Sequence, residues 1–461
     1  MTATLVLPAA MAAEIESAAR LTVESAGVLL ARIAPTPNGD IRVLARALRW
    51  VDGCAYVSRT ADGLRIASQG YVHFLGEAEA HGDSCLWFHT HPGIDAVPRP
   101  SEHDHIVNRE IADVFRLRSG SPYYGAVIFS PGRSHLIFTG SLQSENGHAV
   151  ELDRLWCVGD RWHLTRSYDS VLPEIPDIYD RNVRAFGTAI QKTLGDLRIA
   201  IVGCGGIGSA VAEQLARLGV RHFMLIDPDL LSASNVTRVY GSSALQVGVP
   251  KVNLLAEHLR RIAPDARCEI EASMVTLEPT ARQLTASDLV FGCTDDNAGR
   301  LVLSRLSTFF LMPVIDSGVL LSSDSADNLI GIDGRVTTLA PAQACLVCRG
   351  RIDLQRAAAE LLTPDERRRR VDEGYAPALE RTEPAVVSYT TAVASAAVAE
   401  LLERLIGYGP TPRPSETLLR FHDRETSTNI AAPLEGHYCH PTSGKWGAGI
   451  TEPFLELVWP S

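Results

Sequence analysis

The feature that most constrains this chain is a strand, a glycine turn and a helix in immediate succession. Leu197–Val202 is an apolar run of the length of one buried strand, and Gly203-Cys204-Gly205-Gly206-Ile207-Gly208 follows without a break. Ile207–Leu218 then carries apolar residues at helical spacing, and Arg221–Asp227 is a second strand. Ser287–Gly292 and Pro313–Asp316 are further short apolar strands separated by helical patterns. Strand and helix in alternation predict an α/β fold with a parallel, doubly wound sheet. In such a sheet the glycines let backbone amides at the helix N-terminus face a phosphate. Gly203, Gly205, Gly206 and Gly208 are therefore candidate nucleotide-binding positions. Asp227, at the end of the next strand, is placed to bind ribose hydroxyls.

To this point a dinucleotide-dependent oxidoreductase and an ATP-binding enzyme fit equally well. The residues that follow separate them. Asp227-Pro228-Asp229 leads into Ser234-Asn235-Val236-Thr237-Arg238 and then Gly248-Val249-Pro250-Lys251, and Gly292-Cys293-Thr294-Asp295-Asp296-Asn297 comes after the later strand. In that order, over about residues 178–440, they resemble the ThiF/MoeB/HesA (ubiquitin-activating-enzyme-like) adenylyltransferase family. The resemblance implies a Rossmann-like domain using ATP and Mg²⁺, with Asp227 on the ribose, Asn235, Arg238 and Lys251 on the phosphates, and Asp295 on Mg²⁺. An oxidoreductase accounts for the glycines and Asp227 but not for Arg238, Lys251 or Asp295. The chemistry calls for such a set, because attack of a carboxylate on an α-phosphate brings anions together and cations must neutralise them.

The implied substrate is the C-terminal carboxylate of a ubiquitin-like or sulfur-carrier protein with a free tail, with a conjugating enzyme as a further partner. Tyr179-Asp180-Arg181-Asn182 is similar to the family segment ahead of the first strand, where an arginine enters the ATP site of a partner subunit. With one such module per chain, a homodimer with Arg181 acting in trans is expected.

Cys345-Leu346-Val347-Cys348 has zinc-knuckle spacing. The family supplies a second cysteine pair near the C-terminus; this chain offers His437, Cys439 and His440. A second, structural Zn²⁺ site is expected from Cys345, Cys348, Cys439 and one of those histidines, assigned as His440, with two buried free thiols as the alternative. Family members that form a thioester carry a cysteine in the loop after the knuckle, and Arg349 to Tyr438 contains none. The charged stretch Thr363–Arg381 occupies that place. The reaction is expected to stop at the acyl-adenylate.

The N-terminal part has another texture. Residues 8–20 predict a helix, and Val23–Ile33, Arg42–Trp50, Ser84–His91, Tyr124–Phe129 and His135–Gly140 predict strands, with a helix from Ser101 to Leu117. This is α+β. His89-Thr90-His91-Pro92 followed by Ser101-Glu102-His103-Asp104 resembles the JAB/MPN (JAMM) metalloprotease motif. On a strand, residues i and i+2 share a side, so both imidazoles can meet one Zn²⁺. The resemblance implies Asp104 as third ligand, Glu24 as general base and Ser101 as oxyanion donor. The loop from His91 to Ser101 is longer than usual for that family. Ser101-Glu102-His103-Asp104 also reads as a capping box ahead of a helix.

The expected organisation is a JAB/MPN-like domain over 1–166, a linker over 167–177 containing Pro173 and Pro176, and an adenylation domain over 178–461. A formal net charge of -11 argues against general binding to nucleic acid or anionic membranes. The apolar stretch Val386–Leu402 is broken by Glu400 and reads as a buried helix rather than a membrane span. Nine cysteines without a regular framework fit a reducing compartment, and the cytoplasm is the expected location. Two other readings stay open: sulfur-carrier activation for cofactor or cysteine biosynthesis, and a non-catalytic module gripping a ubiquitin-like tail.

Overall fold

The computed structural model describes residues 2–95, 97–133, 135–167, 174–326, 328–362, 365–366, 368–369 and 385–460. Positions 168–173 of the expected linker, and most of Thr363–Arg381, lie outside the described residues. The chain divides into two compact units. The first is Met1–Leu172 with Trp446–Ile450, the second Pro173–Lys445 with Thr451–Ser461.

The first unit runs β1 (Ala3–Pro8), α1 (Ala9–Ala19), β2 (Ala26–Pro35), β3 (Ile41–Trp50), the hairpin β4 (Tyr56–Arg59) and β5 (Leu64–Ile66), and α2 (Val72–His81). It continues with β6 (Ser84–Thr90), α3 (Glu102–Ser119), β7 (Tyr123–Pro131), β8 (Leu136–Ser144), β9 (Ala149–Val158) and β10 (His163–Arg166). The sheet order is β1-β3-β2-β6-β7-β8-β9-β10, and β1 also pairs with β9, so the sheet closes on itself. Strand β1 was not expected from the sequence; its Leu5, Val6 and Leu7 are wholly buried.

Alternation along β6 decides where the histidines go. Leu86 and Phe88 face the core that contains Ile15 of α1. Cys85 and Trp87 face the other core, with Leu75 of α2 and Phe115 of α3. Side chains two apart share a face, so His89 lies on the α3 side. Burying Phe115 completely contributes about 1.5–3 kcal/mol towards holding α3 over that face.

The second unit runs α4 (Asp180–Asp196), β11 (Arg198–Val202), α5 (Gly206–Leu218), β12 (His222–Ile226), α6 (Lys251–Ile262), β13 (Arg267–Glu271), α7 (Glu278–Gln283) and β14 (Leu289–Gly292). It continues with α8 (Asn297–Phe309), β15 (Val314–Ser323), β16 (Leu329–Leu339), α9 (Leu354–Glu360), α10 (Val387–Ile406), β17 (Glu416–Arg420) and β18 (Glu425–Asn429). The sheet order is β13-β12-β11-β14-β15-β16-β17-β18.

The wholly parallel sheet expected from the sequence is half right. β11 to β15 pair in parallel, whereas β15, β16, β17 and β18 pair antiparallel. After β15 the chain returns through a tight turn in which Asp324 accepts the amides of Ala326 and Asn328, and no crossover helix intervenes. α10 is the buried helix expected, packed on α5. No helix among the described residues is long and apolar enough to cross a membrane.

Candidate functional site

β11 lies mid-sheet, with β12 and β13 continuing on one side and β14 and β15 on the other. A doubly wound sheet opens a crevice where the strand order reverses, beyond the C-terminal strand ends. The second unit has a cavity of about 740 Å³ there, bounded by the ends of β11, β12 and β14. Gly203 has φ +91, and a Cβ there would stand 2.6 Å from the Cys293 carbonyl oxygen, so only glycine lets the two strand ends lie this close. Gly203, Gly205 and Gly206 line the cavity. Gly208 does not; a Cβ on it would collide with the Gly203 carbonyl, so its absence lets α5 start against the turn.

Asp227, Asn235, Arg238, Lys251 and Asp295 all line this one cavity. Asp227 accepts the Cys204 amide at 2.7 Å and the Asp229 amide at 2.8 Å. Burial raises its pKa from the ordinary aspartate value, against the opposing pull of Lys251 and those amides. Lys251 opens α6 and is buried; its Nζ lies 2.7 Å from Asp229 and 3.7 Å from Asp227. The half-buried Arg238 side chain pairs with no described carboxylate. Asp295 is exposed at the rim and has no described partner, while its neighbour Asp296 turns inward to cap α8 through the Gly299 amide. A mouth with unpaired cationic and anionic groups beside a glycine turn fits a polyphosphate with a divalent cation.

The sequence reading missed Arg300, which also lines the cavity. Its Nε is 3.4 Å from Asp316, a wholly buried carboxylate that Arg335 also meets at 2.7 Å. The available signal is spacing: Arg300 stands one helical turn after Asp296 and returns to the same loop. Arg181 is exposed on α4 and outside the cavity.

The first unit has a cavity of about 540 Å³ lined by Glu24, His89, His91, Ser101 and Asp104, with the β4–β5 hairpin and Trp87 around it. The ligand atoms of His89, His91 and Asp104 all lie within 4.8 Å of one another. The two Nε2 atoms are 3.1 Å apart, His89 is 3.6 Å from Asp104, and Glu24 is 3.7 Å from His91. Burial pushes His89 down to about 4 and lowers His91 as well, so both rings are neutral near pH 7. Burial, then the charges of Asp104 and Asp62, push Glu24 up to about 7. Two neutral imidazoles and a carboxylate converging beside an open cavity fit a three-ligand zinc site.

The capping box and the triad coexist. Ser101 caps α3 by accepting the Asp104 amide, and its own amide and hydroxyl donate to Asp104 Oδ2, each at 2.7 Å. The salt contact to His89 uses Oδ1. One carboxylate oxygen serves the helix and the other faces the histidines.

The thiol cluster corrects the sequence reading. Cys345, Cys348 and Cys439 gather around His437, not His440. His437 Nδ1 is 3.5, 3.2 and 3.2 Å from the three sulfurs in that order. The His440 ring bonds Thr442 at 2.7 Å and caps the short turn Pro441–Ser443, which directs it away. Three sulfurs and one imidazole nitrogen fit a tetrahedral Zn²⁺.

Fold and crevice together define a Rossmann-like nucleotide-binding protein in which charged side chains converge on a glycine turn. The ThiF family matches residues 179–439, and the chain belongs to that family. Molybdopterin-synthase adenylyltransferase of Escherichia coli is 30% identical over 178 residues, covering 38% of this chain and 68% of that protein. SAMP-activating enzyme E1 of Haloferax volcanii is 26% identical over 174 residues, 37% of this chain and 61% of its own length. A tRNA threonylcarbamoyladenosine dehydratase of Bacillus subtilis is 38% identical over 106 residues, 23% of this chain and 41% of its own.

Proposed function

We propose that the second unit binds Mg·ATP and adenylates the C-terminal carboxylate of a small ubiquitin-like or sulfur-carrier protein. The observation that carries this is the meeting of Arg238, Lys251 and Asp295 in one crevice beside Gly203–Gly206. A carboxylate oxygen of the tail attacks the α-phosphorus, the bond to the bridging oxygen breaks, and pyrophosphate leaves with the electron pair. Arg238 and Lys251 draw negative charge off the phosphates, Asn235 orients them, and Asp227 holds the ribose. Mg²⁺, held by Asp295, supplies further charge neutralisation. Arg181 acts in the crevice of a second copy in a homodimer. The names of the molybdopterin-synthase adenylyltransferase and SAMP-activating relatives support adenylation, and a relative named ubiquitin-like modifier-activating enzyme 5 supports this substrate class.

No cysteine lies between Arg349 and Tyr438, so the acyl-adenylate is handed to another nucleophile, a conjugating enzyme or a sulfur donor. Relatives named adenylyltransferase and sulfurtransferase favour sulfur-carrier activation as the second reading. Thiocarboxylate on the carrier distinguishes it from protein tagging.

For the first unit the reading is a JAB/MPN-type zinc (iso)peptidase that trims or removes the same modifier, in the cytoplasm. Zn²⁺ held by His89, His91 and Asp104 would lower the pKa of a bound water to about 7. Glu24, 3.7 Å from His91, accepts a proton and returns it to the leaving amine. Ser101 turns its hydroxyl from Asp104 towards the developing oxyanion.

The test is pyrophosphate exchange into ATP driven by a small β-grasp protein ending in glycine, beside cleavage of its C-terminal fusion. Exchange without any carrier dependence sinks the adenylation reading. Stoichiometric zinc with no cleavage, or cleavage that survives Glu24→Gln, sinks the peptidase reading and leaves a binding module.

A further inference from the structure

The segment after Cys348 closes on the acidic rim of the crevice. Asp353 caps α9, and its own amide donates to Asn297 Oδ1 at 3.0 Å. At the other end of α9, Glu360 Oε2 accepts the Ala298 amide at 2.8 Å, and Oε1 accepts from Asn297 Nδ2 at 3.2 Å. Asn297 and Ala298 are the first residues of α8. Asp296 already takes the Gly299 amide and the Thr294 hydroxyl. Two carboxylates thus satisfy consecutive N-terminal amides of α8, where they also meet the favourable end of the helix dipole. Asp295 directly precedes this anchored turn and is left exposed at the crevice without a described partner.

We infer that Glu360 is a positioning residue for Asp295: by tying the first turn of α8 to α9, it holds the Asp295 carboxylate at the place where it takes Mg²⁺ with ATP. This rests on Asp295 being the Mg²⁺ ligand of the proposed adenylation site. Glu360 does not line the crevice and touches no nucleotide. Its effect passes through the α8 backbone and Asn297. Without it the Ala298 amide loses its acceptor, Asn297 loses one of its two links to α9, and the Thr294–Asp296 loop depends on Asp296 alone.

The test uses the full-length protein and titrates Mg²⁺ at fixed ATP, reading nucleotide binding by calorimetry, with a parallel measurement in EDTA. Glu360→Ala is expected to raise the half-saturating Mg²⁺ about tenfold, the lower end of what outer partners of a metal ligand contribute. Its affinity for ATP without Mg²⁺ stays that of the wild type. Glu360→Gln, which keeps an acceptor for the Ala298 amide, shifts the Mg²⁺ requirement less. In an Asp295→Asn background, Glu360→Ala adds nothing further, since both changes act on one ligand. Should Glu360→Ala fail to fold, Asn297→Ala reads the same link from its other side. An unmoved Mg²⁺ requirement overturns the inference, as do equal losses with and without Mg²⁺ or additive losses in the double variant. Wild-type binding that ignores Mg²⁺ altogether brings down the assignment of Asp295 first, and the inference with it.

Discussion

The two cavities follow opposite electrostatic plans. In the first unit the candidate ligands are close to one another, His89 buried and His91 and Asp104 half-buried: His89, His91, Asp104 and Glu24 form a chain of contacts between 3.1 and 3.7 Å. Burial keeps both imidazoles neutral and pushes Glu24 up to about 7. In the second unit Arg238 and Asp295 stand at the crevice without described partners, while Lys251 is tied to Asp229 and Asp227 and Arg300 to Asp316. A single small cation is best met by unprotonated donors, here two imidazoles and a carboxylate, already gathered round a point. A long polyanion is met by separated charges that find their partners only when it arrives. The first plan stakes function on one shared point, whereas the second spreads it over several groups.

That contrast predicts how each site breaks. Removing one ligand from the compact triad should abolish its function outright. His89→Ala is expected to eliminate peptide-bond cleavage and to lower zinc from about two equivalents per chain to about one, the remaining ion being held by the thiol cluster. ATP binding should not change. Metal analysis by mass spectrometry beside a cleavage assay checks both. If zinc content is the same in the variant, the triad is a pair of strand histidines beside a helix cap.

The dispersed site should degrade rather than vanish. Arg238→Ala is expected to slow carrier-dependent pyrophosphate exchange by about 10²–10³, the usual loss on removing one preorganised group that stabilises charge in the transition state. Zinc content and cleavage should be untouched. A loss under about threefold would mean that Arg238 is a surface charge that happens to face the cavity.

The two regions also differed in what the sequence could disclose. The crevice residues lie in short runs that each follow a strand end, so once β11, β12 and β14 are recognised the fold itself gathers Gly203, Asp227 and Asp295. The histidines were readable for a simpler reason: alternation on β6 fixes the face of His89, and a cap pattern at Ser101 puts Asp104 in the first turn of α3. What escaped depends on packing between distant segments. Arg300 needs the buried Asp316 to aim it, and Glu360 acts only because α9 docks on α8. The choice of His437 over His440 turned on the Pro441–Ser443 turn, which uses His440 as its cap. The antiparallel half of the second sheet was hidden because a turn at Asp324 replaces the expected crossover, and hydrophobic patterning alone does not separate the two.

A third kind of charge sharpens the contrast, one that belongs to the scaffold. Glu416 on β17 is as buried as Glu24, yet its pKa moves the other way. Burial alone would raise it, but hydrogen bonds from Arg351 and Asn429, the charge of Arg351 and a bond from Thr337 bring it down to about 2. Arg351 meets both carboxylate oxygens, at 2.9 and 2.8 Å. A carboxyl group with a lower pKa in the folded state stabilises the fold when ionised. That contribution is complete above the unfolded value of 4.5 and is lost as pH falls from there through about 2. It amounts to about 3 kcal/mol. Glu416→Gln should therefore unfold at lower urea than the wild type at pH 7, with the gap narrowing as the pH is taken below 4. Equal midpoints at pH 7 would show that the paired arginine contributes nothing net to the second unit's stability.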